Sequence, residues 1–491
     1  MFERSSGVLL HVSSLPGPYG IGDLGRGAHA WVDWLAEAGC KYWQILPLGP
    51  TGYGDSPYSS LSSAAGNINF ISPDLLVDDG LLRADEVGGT PNIQRVDYGR
   101  VIKHKWEMVG LSLTRLTGDL FDEFTQFRER EAEWLEPYSL FMALKAAHGG
   151  GSWTGWPSEL RARDPKTLET AHRELADEID RHAMGQFMFY RQLDGLREHA
   201  TNRRLEIIGD VPLYVASDSV DVWLNPELFT IDSKTGEPTM VAGVPADMFS
   251  ETAQWWGNPL YRWDAHAIDD FAWWARRLAS FIRQADVLRI DHFTGFASYY
   301  EIASSSESAA EGVWREGPGA PFFESMKRRF GELHMIVEDL GPLGDVVEDL
   351  RLQLGYPGMK ILQEAFVGDS DNQFLPENYS DDYVVYTGTH DNDTARGRLE
   401  SGTERYRRQA LAYTEATADS YSWALISRAW ESEAVIAIAP MQDLLALGSG
   451  ARMNYPSTIE GNWQWRMAGG VVTSDLGVRL LNLNRRTGRR R

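Results

Sequence analysis

Cysteine is almost missing from this chain: Cys40 is the only one in 491 residues. That excludes an internal disulfide framework and fits a reducing compartment. Apolar runs of about 18 residues are also missing, and no charged-then-apolar leader opens the sequence. The expectation is a soluble, cytoplasmic protein with no membrane partner. Positive charge is scarce too. The net charge is −23, and only 8 of the 47 basic residues are Lys, which argues against nucleic acid as a partner because phosphate binding needs a basic surface. The one basic cluster, RRTGRRR (485–491), reads as a solvated tail. A chain this long buries a large core without metal or disulfide staples.

Tryptophan, by contrast, is abundant, with 18 beside 19 Tyr. Some of these rings build core. Many lie in polar, Gly-containing segments: GYGDSPY (52–58), GSWTGWP (151–157), QWWGNPLYRW (254–263) and GNWQWR (461–466). Aromatic loops suit a flat, amphipathic ligand such as a sugar, whose ring face is apolar and whose rim carries hydroxyls.

Seven short apolar runs end in polar residues and turns: 42–48, 205–215, 287–293, 334–341, 359–363, 383–393 and 434–445. Helical patterns such as AHAWVDWLAEAG (28–39) and FAWWARRLASFIRQA (271–285) lie between them. Alternating strand and helix reads as α/β with a parallel sheet. With one strand still unlocated, eight would close a (β/α)8 TIM barrel. A doubly wound sheet would want a G-x-G-x-x-G turn after its first strand, and YWQILPLGPTGYG lacks that spacing. Residues 80–200 break the alternation with charged, helically spaced segments and read as a mainly helical insertion in a single catalytic domain, 1–491.

On a barrel, Asp210, Asp291, Glu338 and Asp391 fall at or near the C-terminal ends of different strands, where barrel enzymes carry their active sites. A lone acid there could cap a helix; four together point to chemistry. In glycoside chemistry one carboxylate attacks the anomeric carbon and a protonated one serves the leaving oxygen, with a separation of about 5–5.5 Å in retaining enzymes. Arg289, two residues before Asp291, points to the same side of the strand and would keep it ionised. Neighbouring negative charges would raise the pKa of Glu338 and keep it protonated. The alternative is a metallohydrolase using the His and Asp residues of THDND (389–393) and DH (291–292).

RIDHFTGF (289–296), VEDLG (337–341) and YTGTHDND (386–393) resemble the signature regions of 4-α-glucanotransferases, the amylomaltases or disproportionating enzymes of glycoside hydrolase family 77. LPLGPTGYGDSPY (46–58), GDVPLYVASDSVDVW (209–223), FSETAQWWGNPLYRW (249–263) and NWQWR (462–466) are similar to it as well. The resemblance implies a barrel with insertions and no C-terminal β-domain. It also implies retaining transfer of α-1,4-glucan segments from a maltodextrin donor to an acceptor glucan or glucose, without cofactor or metal, by a monomer or weak homo-oligomer. By motif position Asp291 matches the nucleophile, Glu338 the acid/base and Asp391 the transition-state stabiliser. Arg289 and His390 match sugar- and nucleophile-contacting positions, and Asp210 joins them. Asp55, Ser56 and Tyr58 lie in a subsite loop, Gln254 and Trp256 in a lid-like loop (240–262), and Asn462 in the last binding motif. His292 stands between a sugar contact and a packed imidazole. The chain departs from the pattern at Met248 (often Tyr), Ala253 (usually Gly), Ser457 (commonly Gly) and Val367 (in place of an acid). Two further readings remain open, an α-glucan hydrolase and a catalytically silent glucan-binding protein.

Overall fold

The structure, a computed structural model, describes residues 2–89, 93–246, 252–341 and 343–489. Eight parallel strands form its centre: β1 (Ser5–Leu9), β2 (Tyr42–Gln44), β3 (Glu206–Val211), β4 (Val287–Ile290), β5 (Met335–Val337), β6 (Gly358–Ile361), β7 (Tyr383–Tyr386) and β8 (Ile436–Pro440). Their spatial order follows the chain, and β8 pairs back onto β1. This is the expected (β/α)8 barrel. The seven expected runs are all there, each shorter than its apolar segment, and the eighth strand is β1. Its sequence, SSGVL, opens on two serines and has too few apolar residues to stand out.

Between β5 and β6 the ladder narrows to one backbone bond, Val337 N–H to the Pro357 carbonyl at 3.0 Å. A side chain continues the seam: the Asp339 carboxylate accepts from the Met359 amide at 2.8 Å and faces Arg351 at 3.4 Å. Gly358 is required there, because a Cβ would come within 2.2 Å of that carboxylate.

The outer helices bury one stripe each. In Arg26–Glu37 the buried residues include Ala28, Trp31, Val32 and Leu35, the spacing of a helix face turned to the strands. Between β2 and β3 run the helices Tyr98–Thr114, Asp119–Arg130, Ala132–Ala147, Pro165–Glu174 and Ala176–Asn202. The last is clamped to the barrel by two glutamines that imitate backbone pairing. Gln186 accepts from the Gly66 amide at 2.7 Å and donates to its carbonyl at 2.9 Å, and Gln192 does the same with Ser72 at 2.6 and 3.1 Å.

Beside the helical insertions stands a second, small sheet that the sequence pattern did not single out. Four antiparallel strands, Gln254–Pro259, Met240–Val244, Ser298–Ala303 and Val313–Glu316, pair in that order around a small core of Val241, Tyr300 and Ile302. The segment read as a lid-like loop thus carries a strand at each end. These strands are only four to six residues long and contain Gly or charge, and two of them, Gln254–Pro259 and Val313–Glu316, are largely unburied, so they stand out poorly as strands in sequence. Met248 lies outside the described residues.

The basic tail also differs. Arg489 is fully buried and donates to five backbone carbonyls: Trp430 (2.7 Å), Ser5 (3.1 Å), Val435 (3.3 Å), Ser432 (2.9 Å) and Ala434 (2.6 Å). These carbonyls belong to the chain entering β1 and β8, so the residue closes the N-terminal end of the barrel. Composition alone could not distinguish that from a solvated arginine. No described helix is long and apolar enough to cross a membrane.

Candidate active site

Strand register assembles the charged residues at the opposite end. In the β3–β4 ladder Asp210 lies across from Arg289, and in the β4–β5 ladder Ile290 lies across from Val337. The next residues on β4 and β5, Asp291 and Glu338, therefore come side by side. One nitrogen of Arg289 donates to both Asp210 oxygens and to Asp291 Oδ1, all at 2.8 Å. Burial alone would lower the pKa of Arg289; Asp210 and then Asp291 reverse this and hold it well above its ordinary value. Burial pulls Asp210 towards neutrality, but the bifurcated contact with Arg289 and a 2.8 Å hydrogen bond from Tyr58 Oη fit the ion pair. The Asp291 side chain keeps 26% of its surface exposed, enough to meet a ligand.

Glu338 is raised well above the ordinary carboxylate value. The expected cause was the neighbouring negative charges; burial is the larger one, with Asp291 second among the causes that raise it. Its Oε2 accepts the His292 backbone N–H at 2.7 Å. His292 reaches that geometry at φ 48°, a left-handed backbone that non-glycine residues adopt at a cost of about 1–2 kcal/mol. The His292 ring meets Trp256 edge-on, with centroids 4.8 Å apart. His292 thus touches the exposed Trp256 with its ring and Glu338 with its backbone.

Asp391 behaves oppositely. Burial works against its charge, yet His390 and Asn454 hold its pKa well below the usual range. His390 Nε2 lies 3.2 Å from Asp391 Oδ2, and Asn454 donates to Oδ1 at 2.7 Å. The Asp391 side chain is 45% exposed. Its partner His390 is raised, because Asp391 outweighs the burial that would lower it. Tyr58 stacks on the His390 ring at 5.2 Å and 15°, which ties the loop after β2 to the loop after β7.

The remaining candidates lie around this centre. Asp55 sits in a one-turn helix (Tyr53–Asp55), and burial raises its pKa. Ser56 Oγ accepts the Tyr58 amide at 3.3 Å. Gln254 Oε1 accepts Trp256 Nε1 at 3.2 Å, so the two pre-organise each other. Asn462 is buried, and its amide is spent on its own loop: it accepts from the Tyr455 amide at 2.9 Å and donates to the Thr458 carbonyl at 2.9 Å. In that loop Ser457, one of the departures from the resembled pattern, stands at φ 65°, a left-handed backbone that glycine adopts at less cost.

Several residues of the site were not singled out in the sequence. Asn454 lies in NYPST, and Arg452 donates to the Asp391 carbonyl at 2.5 Å. Trp463 rests 5.8 Å from Tyr58 and 6.0 Å from His390. Tyr386 on β7 donates to Gln44 on β2 at 2.9 Å beneath Asp210 and Arg289. The inward alternation of β2 and β7 could have marked that last pair. Nothing local marks Asn454. Among the described residues no group of three His, Cys, Asp or Glu is arranged to hold a metal ion.

The 4-α-glucanotransferase family model of glycoside hydrolase family 77 matches residues 10–473. The chain belongs to this family. It is 46% identical to the 4-α-glucanotransferase of Thermus thermophilus, with 97% of each protein covered. It is 42% identical to that of Clostridium butyricum, covering 98% of this chain and 100% of the relative. Among solved structures, the amylomaltase of Streptococcus agalactiae in complex with acarbose superimposes with a TM-score of 0.95 at 36% identity, over 100% of both chains. The family's signature regions thus coincide here with one charged cluster at the C-terminal end of a barrel.

Proposed function

We propose that this 4-α-glucanotransferase works by retaining double displacement, with Asp291 as nucleophile and Glu338 as acid/base. The observation that carries the reading is the β4–β5 register, which sets an arginine-paired, partly exposed Asp291 beside a Glu338 pushed towards its protonated form. Asp291 attacks the anomeric carbon of an α-1,4-linked donor while Glu338 gives its proton to the departing 4-oxygen. The non-reducing segment stays on Asp291 as a glycosyl ester. Glu338, now ionised, takes the proton from the 4-hydroxyl of an acceptor glucan or glucose as it displaces Asp291, and both carboxyls return to their starting states. Asp391 stays ionised, accepts hydrogen bonds from ring hydroxyls and favours the cationic transition state. Tyr58, His390, Gln254 and Trp256 line the sugar path.

Transfer and hydrolysis share the glycosyl ester and differ in the acceptor. Aromatic loops that hold a sugar and exclude water favour transfer. The substrates are α-1,4-glucan segments and glucose, and the single cysteine fits a cytoplasmic setting. The test is incubation with maltotriose in the presence of EDTA. A ladder of longer maltodextrins plus glucose is expected. Steady growth of reducing ends would mean a hydrolase, no turnover a silent binder, and loss of activity with EDTA a metal enzyme.

A further inference from the structure

Away from the charged cluster, the helix Tyr421–Glu431, the turn 444–446 and the helix Ser474–Arg486 border an open cleft of about 520 Å³. Clefts of this size hold small organic ligands. Trp423 forms its base, fixed by an indole hydrogen bond to the Leu444 carbonyl at 3.0 Å. Leu445, Val471 and Leu476 supply apolar wall.

Two charged side chains, Arg479 and Asp419, line this cleft. Two arginines nearby face carboxylates: Arg428 lies 3.1 Å from Glu415, and Arg486 lies 3.3 Å from Glu431. Arg479 instead places its guanidinium 3.8 Å from the centre of the Trp423 ring. Among the described residues it makes no hydrogen bond and no ion pair. Asp419, lining the same cleft, makes none either. Arg479 thus offers the cleft donors, and Asp419 offers it acceptors. An anionic ligand meets repulsion from Asp419 and a cationic one from Arg479. A neutral polyhydroxylated ring satisfies both, accepting from the guanidinium and donating to the carboxylate. Its apolar face covers the leucines.

We propose that this cleft is a second α-glucan-binding site, which holds part of a polymer chain while the barrel mouth works on another part. The inference rests on the α-glucan reading of the active site. It implies that polymers and short oligosaccharides depend differently on Arg479 and Asp419, two exposed residues that take no part in the chemistry.

The test uses the full chain and the Arg479→Ala, Asp419→Ala double variant. Mobility in native gels containing glycogen measures polymer retention, and initial rates on maltotriose measure the active site. Retention should fall by about fivefold or more, a difference of roughly 1 kcal/mol. The kcat/KM for maltotriose should stay within about twofold, a few tenths of a kcal/mol. Unchanged retention by glycogen overturns the second site, as does a parent protein that glycogen does not retard. An equal loss on maltotriose overturns it too, by assigning the effect to the fold. A parent protein that does not disproportionate maltotriose defeats the active-site reading instead, whatever the gels show.

Discussion

Two buried arginines stand at opposite ends of the barrel. Arg289, at the C-terminal end, bridges the carboxylates of Asp210 and Asp291. Arg489, at the N-terminal end, meets five backbone carbonyls and, among the described residues, no carboxylate. The partners decide what each can do. Carboxylates around Arg289 outweigh its burial and raise its pKa. Carbonyls around Arg489 carry only partial charge; burial dominates there and lowers its pKa to about 9. In the proposed mechanism one arginine organises chemistry while the other fastens chain ends, in line with the division of labour between the two faces of a barrel.

The sharpest separation comes from Asp291→Asn. Transfer from maltotriose should fall by at least about 10³-fold, while the melting temperature stays near that of the parent because the Asn amide keeps the size and a hydrogen-bonding group. Next is a matched pair. Arg289→Met leaves two carboxylates facing each other and should cost about 3–5 kcal/mol of stability and about 10²–10³ in kcat. Arg489→Met should cost about 3 kcal/mol through its orphaned carbonyls and leave kcat at low temperature within twofold, about 0.4 kcal/mol. Chemical denaturation and initial rates read both, and a large kcat loss in Arg489→Met would break the comparison.

The pH profile of kcat/KM comes next. Glu338 must be protonated in the first step, and its folded pKa is raised. Activity is therefore present below that pKa and falls as pH rises through it. Asp391 must be ionised, and its folded pKa is depressed, so its contribution is lost only as pH falls through that low value. Asn454→Ala removes a hydrogen bond to the charged form and should move the acid limb to higher pH.

The smallest effect concerns His292. His292→Gly keeps the left-handed backbone and should leave the basic limb in place. His292→Val disfavours that backbone by about 1–2 kcal/mol and weakens the amide bond that lowers the Glu338 pKa. Its basic limb should move to higher pH.

Most of the barrel was legible because parallel strands buried on both faces read as apolar runs. β1 escaped because its five residues include only two large apolar ones, Val8 and Leu9. The second sheet escaped because its strands are short and two of them, Gln254–Pro259 and Val313–Glu316, bury too little to show a pattern. At the site, the pairing of Arg289 with Asp291 could be read from a spacing of two on one strand. Asn454 could not, since it lies 63 positions from the carboxylate it holds.

By itself, then, the sequence determined the strand-and-helix alternation, the acids at the strand ends and the aromatic loops, because these depend on local periodicity and residue chemistry. Tertiary structure decided everything that needs two distant segments at one place. It put Arg489 under the barrel and drew Asp339 into the seam between β5 and β6. It also turned the His292 amide towards Glu338 and set Arg479 and Asp419 along one cleft. The physical reason is the same in each case: burial and charge pairing act through space, and their outcome is set by which chains the fold brings within hydrogen-bonding distance.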